Sequence, residues 1–100
     1  MKVEKQEGEA VIIPDGRIDI SNSQELKDKM QMVFDEGYNT IAIDFTHISS
    51  IDSSGVGKLL LFQKKLRDRG GELKVFNITS EYVRKMFNMI HLYKVINIEQ

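Results

Sequence analysis

A chain of 100 residues with 41% apolar and 29% charged residues has the make-up of one soluble globular domain, with little room for a deep enclosed active site. Its formal net charge of −1 gives no global reason to expect nucleic acid or an anionic membrane as partner, and the lack of cysteine removes disulfide and thiolate chemistry. No apolar run approaches the roughly 20 residues of a membrane helix, and the opening residues lack a signal peptide's apolar region, so the expected location is the cytoplasm.

Residues 2–6 and 10–13 read as two strands joined by a tight connection in which Gly8 is free to take positive φ. Pro14 ends the second run, and Asp15-Gly16 gives a turn before Arg17-Ile18-Asp19. In the polar group that follows, Ser21 with Gln24, or Asn22 with Glu25, fits a capping box. Leu26, Met30, Val33 and Phe34 then recur at helical spacing as far as Gly37, a residue type favoured past a helix C-terminus.

Residues 40–45 place Ile41, Ile43 and Phe45 on one face of a strand. A second helix runs from the Asp52-Ser53-Ser54-Gly55 junction to Arg69, with Val56, Leu59, Leu60, Gln63 and Leu66 as its buried stripe and Gly70-Gly71 as its stop. Lys64, Lys65, Arg67 and Arg69 crowd its last turns, where positive charge suits the helix dipole; a solvated tail is expected there rather than an anion site. In the next strand Leu73 and Val75 face one way and Glu72 and Lys74 the other. Thr79 or Ser80 caps a third helix carrying Val83, Met86, Phe87 and Ile90 on one face, and residues 94–98 form a last short strand.

The order β-β-α-β-α-β-α-β predicts one α/β domain over residues 1–100, with a mixed sheet of about five strands and right-handed crossovers. Alternation at 41–45 and 72–75 means that one sheet face sees water, which puts the helices mainly on the other.

The junction is where chemistry would reside. A phosphate-binding loop fits Gly57-Lys58, but its first glycine falls on Asp52 and its hydroxyl on Leu59. A serine nucleophile lacks the G-x-S-x-G elbow, since Ile51 replaces the first glycine, and only His47 and His91 are available as bases. The aspartates at 15, 19, 35, 44, 52 and 68 have no metal-ligand spacing. Asp52 or Ser53 could serve only as an N-cap, worth about 1 kcal/mol. One cap, however, explains one polar residue, and four small or polar residues stand here together. Gly16 to Asn22 follows the second strand as the junction follows the third. If those strands are neighbours, Asp19, Ser21 and Asn22 come close to Ser53, at the sheet edge where function usually sits in open α/β folds.

Three stretches carry a resemblance: GRIDISNSQEL (16–26), IAIDFTHISSIDSSGVGKLL (41–60) and GGELKVFNITSEYVRKMFNMIHLYKVINI (70–98). Together they resemble a STAS domain of the anti-sigma factor antagonist type over nearly the whole chain. In that family the serine directly after the motif aspartate is phosphorylated, a position that is Ser53 here, and the aspartate after the second strand falls on Asp19. The resemblance implies a protein that binds an anti-sigma factor with serine kinase activity and so frees a sigma factor. Phosphorylation of Ser53 with ATP ends that contact, and a PP2C-type phosphatase restores it.

The chain would then be a kinase substrate and not an enzyme, without cofactor or metal, and a monomer or weak dimer. Asp19, Ser21, Asn22, Asp52, Ser53, Ser54 and Gly55 are the expected contact residues. A phosphate on Ser53 is expected to be tolerated because a helix N-terminus offers amides and a positive dipole end. STAS domains also serve as subunits of signalling scaffolds and of lipid transporters, and some domains of this fold resemble nucleotide binders. Those alternatives stay open at this point.

Overall fold

The computed structural model describes residues 1–99. Strands β1 (Lys2–Gln6), β2 (Glu9–Ile13) and β3 (Gly16–Ile18) precede helix α1 (Ser23–Asp35). Strands β4 (Thr40–Asp44) and β5 (Ile48–Ile51) precede α2 (Ser53–Asp68); β6 (Glu72–Phe76) precedes α3 (Glu81–Met89), and β7 (Asn97–Ile98) comes last. β1 and β2 form an antiparallel hairpin through Gly8, whose φ of 80° is the left-handed conformation that glycine adopts without steric cost. β4, β6 and β7 add to β2 in parallel, giving the sheet order β1-β2-β4-β6-β7.

Register explains the core. Ala10, Ile41 and Leu73 lie level across β2, β4 and β6, as do Ile12, Ile43 and Val75, and all six are fully buried. They share one cluster with Leu26, Met30 and Val33 of α1, Leu59, Phe62 and Leu66 of α2, and Val83 and Phe87 of α3. The three helices therefore cover one face, as the alternation predicts. On the other face Glu4, Val11, Ala42 and Lys74 lie in one row, and Lys74 reaches Glu9 at 2.9 Å.

The structure departs from the sequence reading in four places. First, β3 and β5 pair in parallel as a separate two-stranded sheet, where only a turn and an uninterrupted approach to the second helix were expected. Their brevity hides them: in Ile48-Ser49-Ser50-Ile51 the buried residues are the two ends, so no period-two alternation appears.

Second, Leu60 is exposed on α2, and fully buried Phe62 takes its place beside Leu59, Gln63 and Leu66. The stripe is i, i+3, i+4, i+7 counted from Leu59. Third, α3 ends before Ile90, which is exposed; a short 3-10 turn at Leu92–Lys94 follows, and only Asn97–Ile98 pairs as strand.

Fourth, the basic tail of α2 is not simply solvated. Arg69 donates to the carbonyls of Phe34 and Tyr38 at 2.9 and 2.7 Å and to Asn39 Oδ1 at 2.9 Å, while its guanidinium lies 3.6 Å from the Phe34 ring centre. Lys65 Nζ bonds Gln31 Oε1 at 2.6 Å, and Lys64 pairs with Asp68 at 2.9 Å. Arg69 and Lys65 fasten the end of α2 to the end of α1, while Lys64 pairs within α2.

Candidate functional site

The small β3–β5 sheet builds the site. Ile18 stands level with Ile51, and the Asp52 amide donates to the Ile18 carbonyl at 3.0 Å. The chain therefore leaves both strands side by side, with Asp19 beyond one and Asp52 beyond the other. The strands whose adjacency the sequence set as the condition, β2 and β4, are paired in parallel, and the small sheet continues that adjacency to the two aspartates.

The two aspartates close the same kind of turn. Asp19 Oδ1 accepts the Ser21 amide at 2.9 Å and the Ser21 hydroxyl, and Asp52 Oδ1 accepts the Ser54 amide at 2.9 Å and the Ser54 hydroxyl. Asp44 does likewise with the Thr46 amide and hydroxyl, at 2.9 and 2.6 Å. The signal was present in the sequence as Asp-x-Ser/Thr at 19–21, 44–46 and 52–54, the pattern of side-chain-closed turns.

At the junction Asp52 is the N-cap of α2: its backbone is extended, and its carboxylate also accepts the Gly55 amide at 3.2 Å. Ser53 is the first helical residue and is exposed, and among the described residues its hydroxyl has no hydrogen-bond partner. Ser54 is half-buried and its hydroxyl is held by Asp52. Gly55 is buried; a Cβ placed there would come within 2.7 Å of both Ile18 Cγ2 and Ile51 Cγ1. It lets the first turn of α2 rest directly on the two strands, and so belongs to the support of the cluster.

The expectation about phosphate changes here. The Ser54 and Gly55 amides are taken by Asp52, and the Val56 amide bonds the Asp52 carbonyl at 3.0 Å. A phosphate on Ser53 retains the helix dipole but not those donors.

Neither capping box forms at α1. Asn22 occupies the N-cap, but its Oδ1 accepts the Asp19 amide at 2.8 Å and its Nδ2 donates to the Arg17 carbonyl at 2.7 Å. Gln24 bonds Asp28, and Glu25 accepts the Met1 amino group at 2.8 Å, so both would-be reciprocal partners are engaged elsewhere. Ser80, one of the two caps expected for α3, accepts the Val83 amide at 3.2 Å and also donates to the Ser49 carbonyl at 3.0 Å. That second bond ties α3 to β5.

Both carboxylates are held below the ordinary carboxylate range. The Ser21 hydroxyl and amide, with the charge of Arg17, hold Asp19 below the usual carboxylate range against the opposing charge of Asp52. The Ser54 hydroxyl and the amides of Gly55 and Ser54 do the same for Asp52. The site thus presents a free hydroxyl flanked by two anions. It also presents Ile20, between Asp19 and Ser21, which sequence reading passed over and which is 84% exposed.

Of the two histidines, His47 is exposed beyond β4 and His91 stacks edge-on with Tyr93 at 6.1 Å. No hydrogen bond among the described residues links either one to Ser53. Those residues hold no cluster of three or more potential metal ligands and no helix long and apolar enough to cross a membrane.

The family model of the STAS domain matches residues 1–100. The chain belongs to the STAS domain family. This STAS domain is 26% identical over 96 residues to the anti-sigma-B factor antagonist of Bacillus subtilis (strain 168), covering 96% of this chain and 86% of that protein. It is similar to the anti-sigma factor antagonist SpoIIAA in its unphosphorylated form, at 27% identity and a TM-score of 0.82, covering 99% of this chain and 87% of that one. The Bacillus cell fate determinant SpoIIAA in its phosphorylated form aligns at 26% identity and a TM-score of 0.75, covering 99% and 90%. A Thermotoga maritima structure shares the fold at a TM-score of 0.86, with 22% identity over 99% of this chain and 85% of its own.

Proposed function

We propose that this STAS domain is an anti-sigma factor antagonist, switched by phosphorylation of Ser53. Unphosphorylated, it binds an anti-sigma factor that is also a serine kinase, and a sigma factor is released. The kinase transfers the γ-phosphoryl group of ATP to the Ser53 hydroxyl, the antagonist lets go, and a PP2C-type phosphatase returns the free serine. The setting is the cytoplasm, and the domain acts as substrate and binding partner rather than as an enzyme.

One observation carries this reading: of the two adjacent serines, Ser53 offers an exposed and unengaged hydroxyl, while the Ser54 hydroxyl is bound to Asp52. A kinase needs an oxygen it can approach in line with the phosphoryl group. The Asp19 turn beside it, with Ser21 and Asn22, supplies the rest of the contact.

The switch is then local electrostatics. A phosphate adds about −1.5 to −2 charges at a place where two ionised carboxylates already stand and the Ser54 and Gly55 amides are already used. Any anion that the partner sets against Ser53, the phosphates of its nucleotide included, meets like charge. One such pair at about 4 Å costs roughly 4 kcal/mol at an effective dielectric near 20, close to a thousand-fold in affinity.

The test is affinity towards the kinase-type anti-sigma factors of the source organism, for the unmodified chain, the phosphorylated chain and Ser53→Asp. The expected result is tight binding of the first and at least about hundred-fold weaker binding of the other two. Equal affinities for all three contradict the switch.

A second reading, as a subunit of a larger signalling or transport assembly, draws on α3. Tyr82 and Met89 are 64% and 76% exposed there, and with Lys85 and Met86 they line a shallow apolar groove. Size-exclusion chromatography of the native protein from cell extract separates the two readings. A large, salt-resistant complex favours the assembly.

A further inference from the structure

Among the described residues Ile20 is the most exposed of the large apolar side chains. A single surface isoleucine is ordinary, but the setting of this one is not. The Asp19 amide donates to Asn22 Oδ1 at 2.8 Å, and the Asp19 carbonyl accepts the amides of Asn22 and Ser23 at 3.1 and 2.8 Å. Ser21 gives its amide and its hydroxyl to Asp19 Oδ1, and Asn22 Nδ2 holds the Arg17 carbonyl. The Ser21 hydroxyl, the Asn22 amide group and Asp19 Oδ1 are all engaged within the turn or with the strand before it. Ile20 is displayed on a frame that makes no use of its side chain.

The frame stands beside the switch serine. Ile18, two residues before Ile20, accepts the Asp52 amide at 3.0 Å. Asp19 and Asp52 each close their turns through Oδ1, and Oδ2 of each has no hydrogen bond among the described residues.

We infer that Ile20 is the apolar anchor of the anti-sigma factor contact, entering an apolar pocket on that partner whose rim offers hydrogen-bond donors to the Asp19 and Asp52 carboxylates. The inference rests on the reading of Ser53 as a partner-facing switch and adds the residue that supplies affinity. A β-branched side chain on a hydrogen-bonded turn has little freedom left to lose on binding. An apolar centre ringed by polar groups is the common arrangement of an interface hot spot. Ser53 then sets whether the contact is allowed, and Ile20 sets how strong it is.

The experiment compares wild type, Ile20→Ser and Ile20→Leu against whichever kinase-type anti-sigma factor of the source organism binds the wild-type chain. Kd comes from calorimetry and the kinetics of Ser53 phosphorylation from a radiolabelled ATP assay. Because the side chain packs against little of its own domain, Ile20→Ser should melt within about 4 °C of wild type. Its Kd should rise about ten- to hundred-fold, mainly through faster dissociation, and KM for phosphorylation should rise in parallel with kcat little changed. Ile20→Leu should recover most of the loss. A Kd for Ile20→Ser equal to that of wild type overturns the anchor and leaves the Ser53 reading standing. If no such anti-sigma factor binds the wild-type chain, the reading itself falls and the anchor with it.

Discussion

The amide of Asp52 donates to the carbonyl of Ile18 across 3.0 Å, and through that bond the end of β3 sets the position of the first turn of α2. The helix start lies so close to the strands that only glycine fits at position 55, where a Cβ would stand 2.7 Å from Ile18 and Ile51 side-chain carbons. Two loops distant in sequence thereby become one surface.

That closeness gives two glycine substitutions opposite signs. Gly55→Ala gains helix propensity but overpacks against two buried isoleucines, and the overpacking dominates: a net loss of about 1–2 kcal/mol is expected. Gly57→Ala has no atom within 4 Å of the new Cβ, so it should stabilise by up to about 1 kcal/mol. Thermal unfolding of the two variants checks the pair. A Gly55→Ala protein at least as stable as wild type would refute the close approach.

Arg69 fastens α2 to the C-terminal end of α1 through two carbonyls, Asn39 and the face of Phe34. Arg69→Ala should destabilise by about 1–3 kcal/mol. Arg69→Lys should recover less than half of that, because an ammonium cannot reproduce the planar fork. Urea unfolding distinguishes this clamp from a solvated tail residue, for which all three proteins would have the same midpoint.

Acid should unfold the domain through its turn carboxylates. The Ser21 hydroxyl holds Asp19, and the Ser54 hydroxyl holds Asp52, below the ordinary value of 3.8. For Asp44, burial favours the neutral acid, but bonds from Thr46 and Asn77 prevail and the shift is again downward. A carboxylate whose folded pKa is depressed contributes stability that is present above the unfolded pKa and lost as pH falls through the folded one. These groups should therefore leave stability flat from about pH 5 to 7 and make it fall below about pH 4. Asp52→Asn keeps a competent cap and should show a shallower fall on acidification. Parallel Tm-against-pH curves for the two proteins would contradict this role for Asp52.

The long amphipathic elements could be read directly from the sequence, because burying one face of a helix or strand imposes a period. Leu26, Met30 and Val33 announce α1, and Ile41 with Ile43 announces β4. Ser49 and Ser50 conceal β5, since three or four residues cannot display a period; the meeting of Asp19 and Asp52 was conditional on the pairing of β2 with β4, which strand order in the sequence does not disclose. The capping boxes failed for a different reason. Asn22 Oδ1 had a competing donor in the Asp19 amide, and a local pattern does not disclose which of two available bonds will form. The choice between Ser53 and Ser54 rested on family resemblance alone; what the sequence did not disclose is that the Ser54 hydroxyl is bound to Asp52.

The central claim is that Ser53 is the modified hydroxyl, and site-resolved mass spectrometry of the chain after incubation with its anti-sigma factor kinase and ATP tests it most directly. One phosphate on Ser53 is expected in wild type and in Ser54→Ala, and none in Ser53→Ala. Phosphate on Ser54 with Ser53 unmodified, or no phosphate on either serine, would contradict the account.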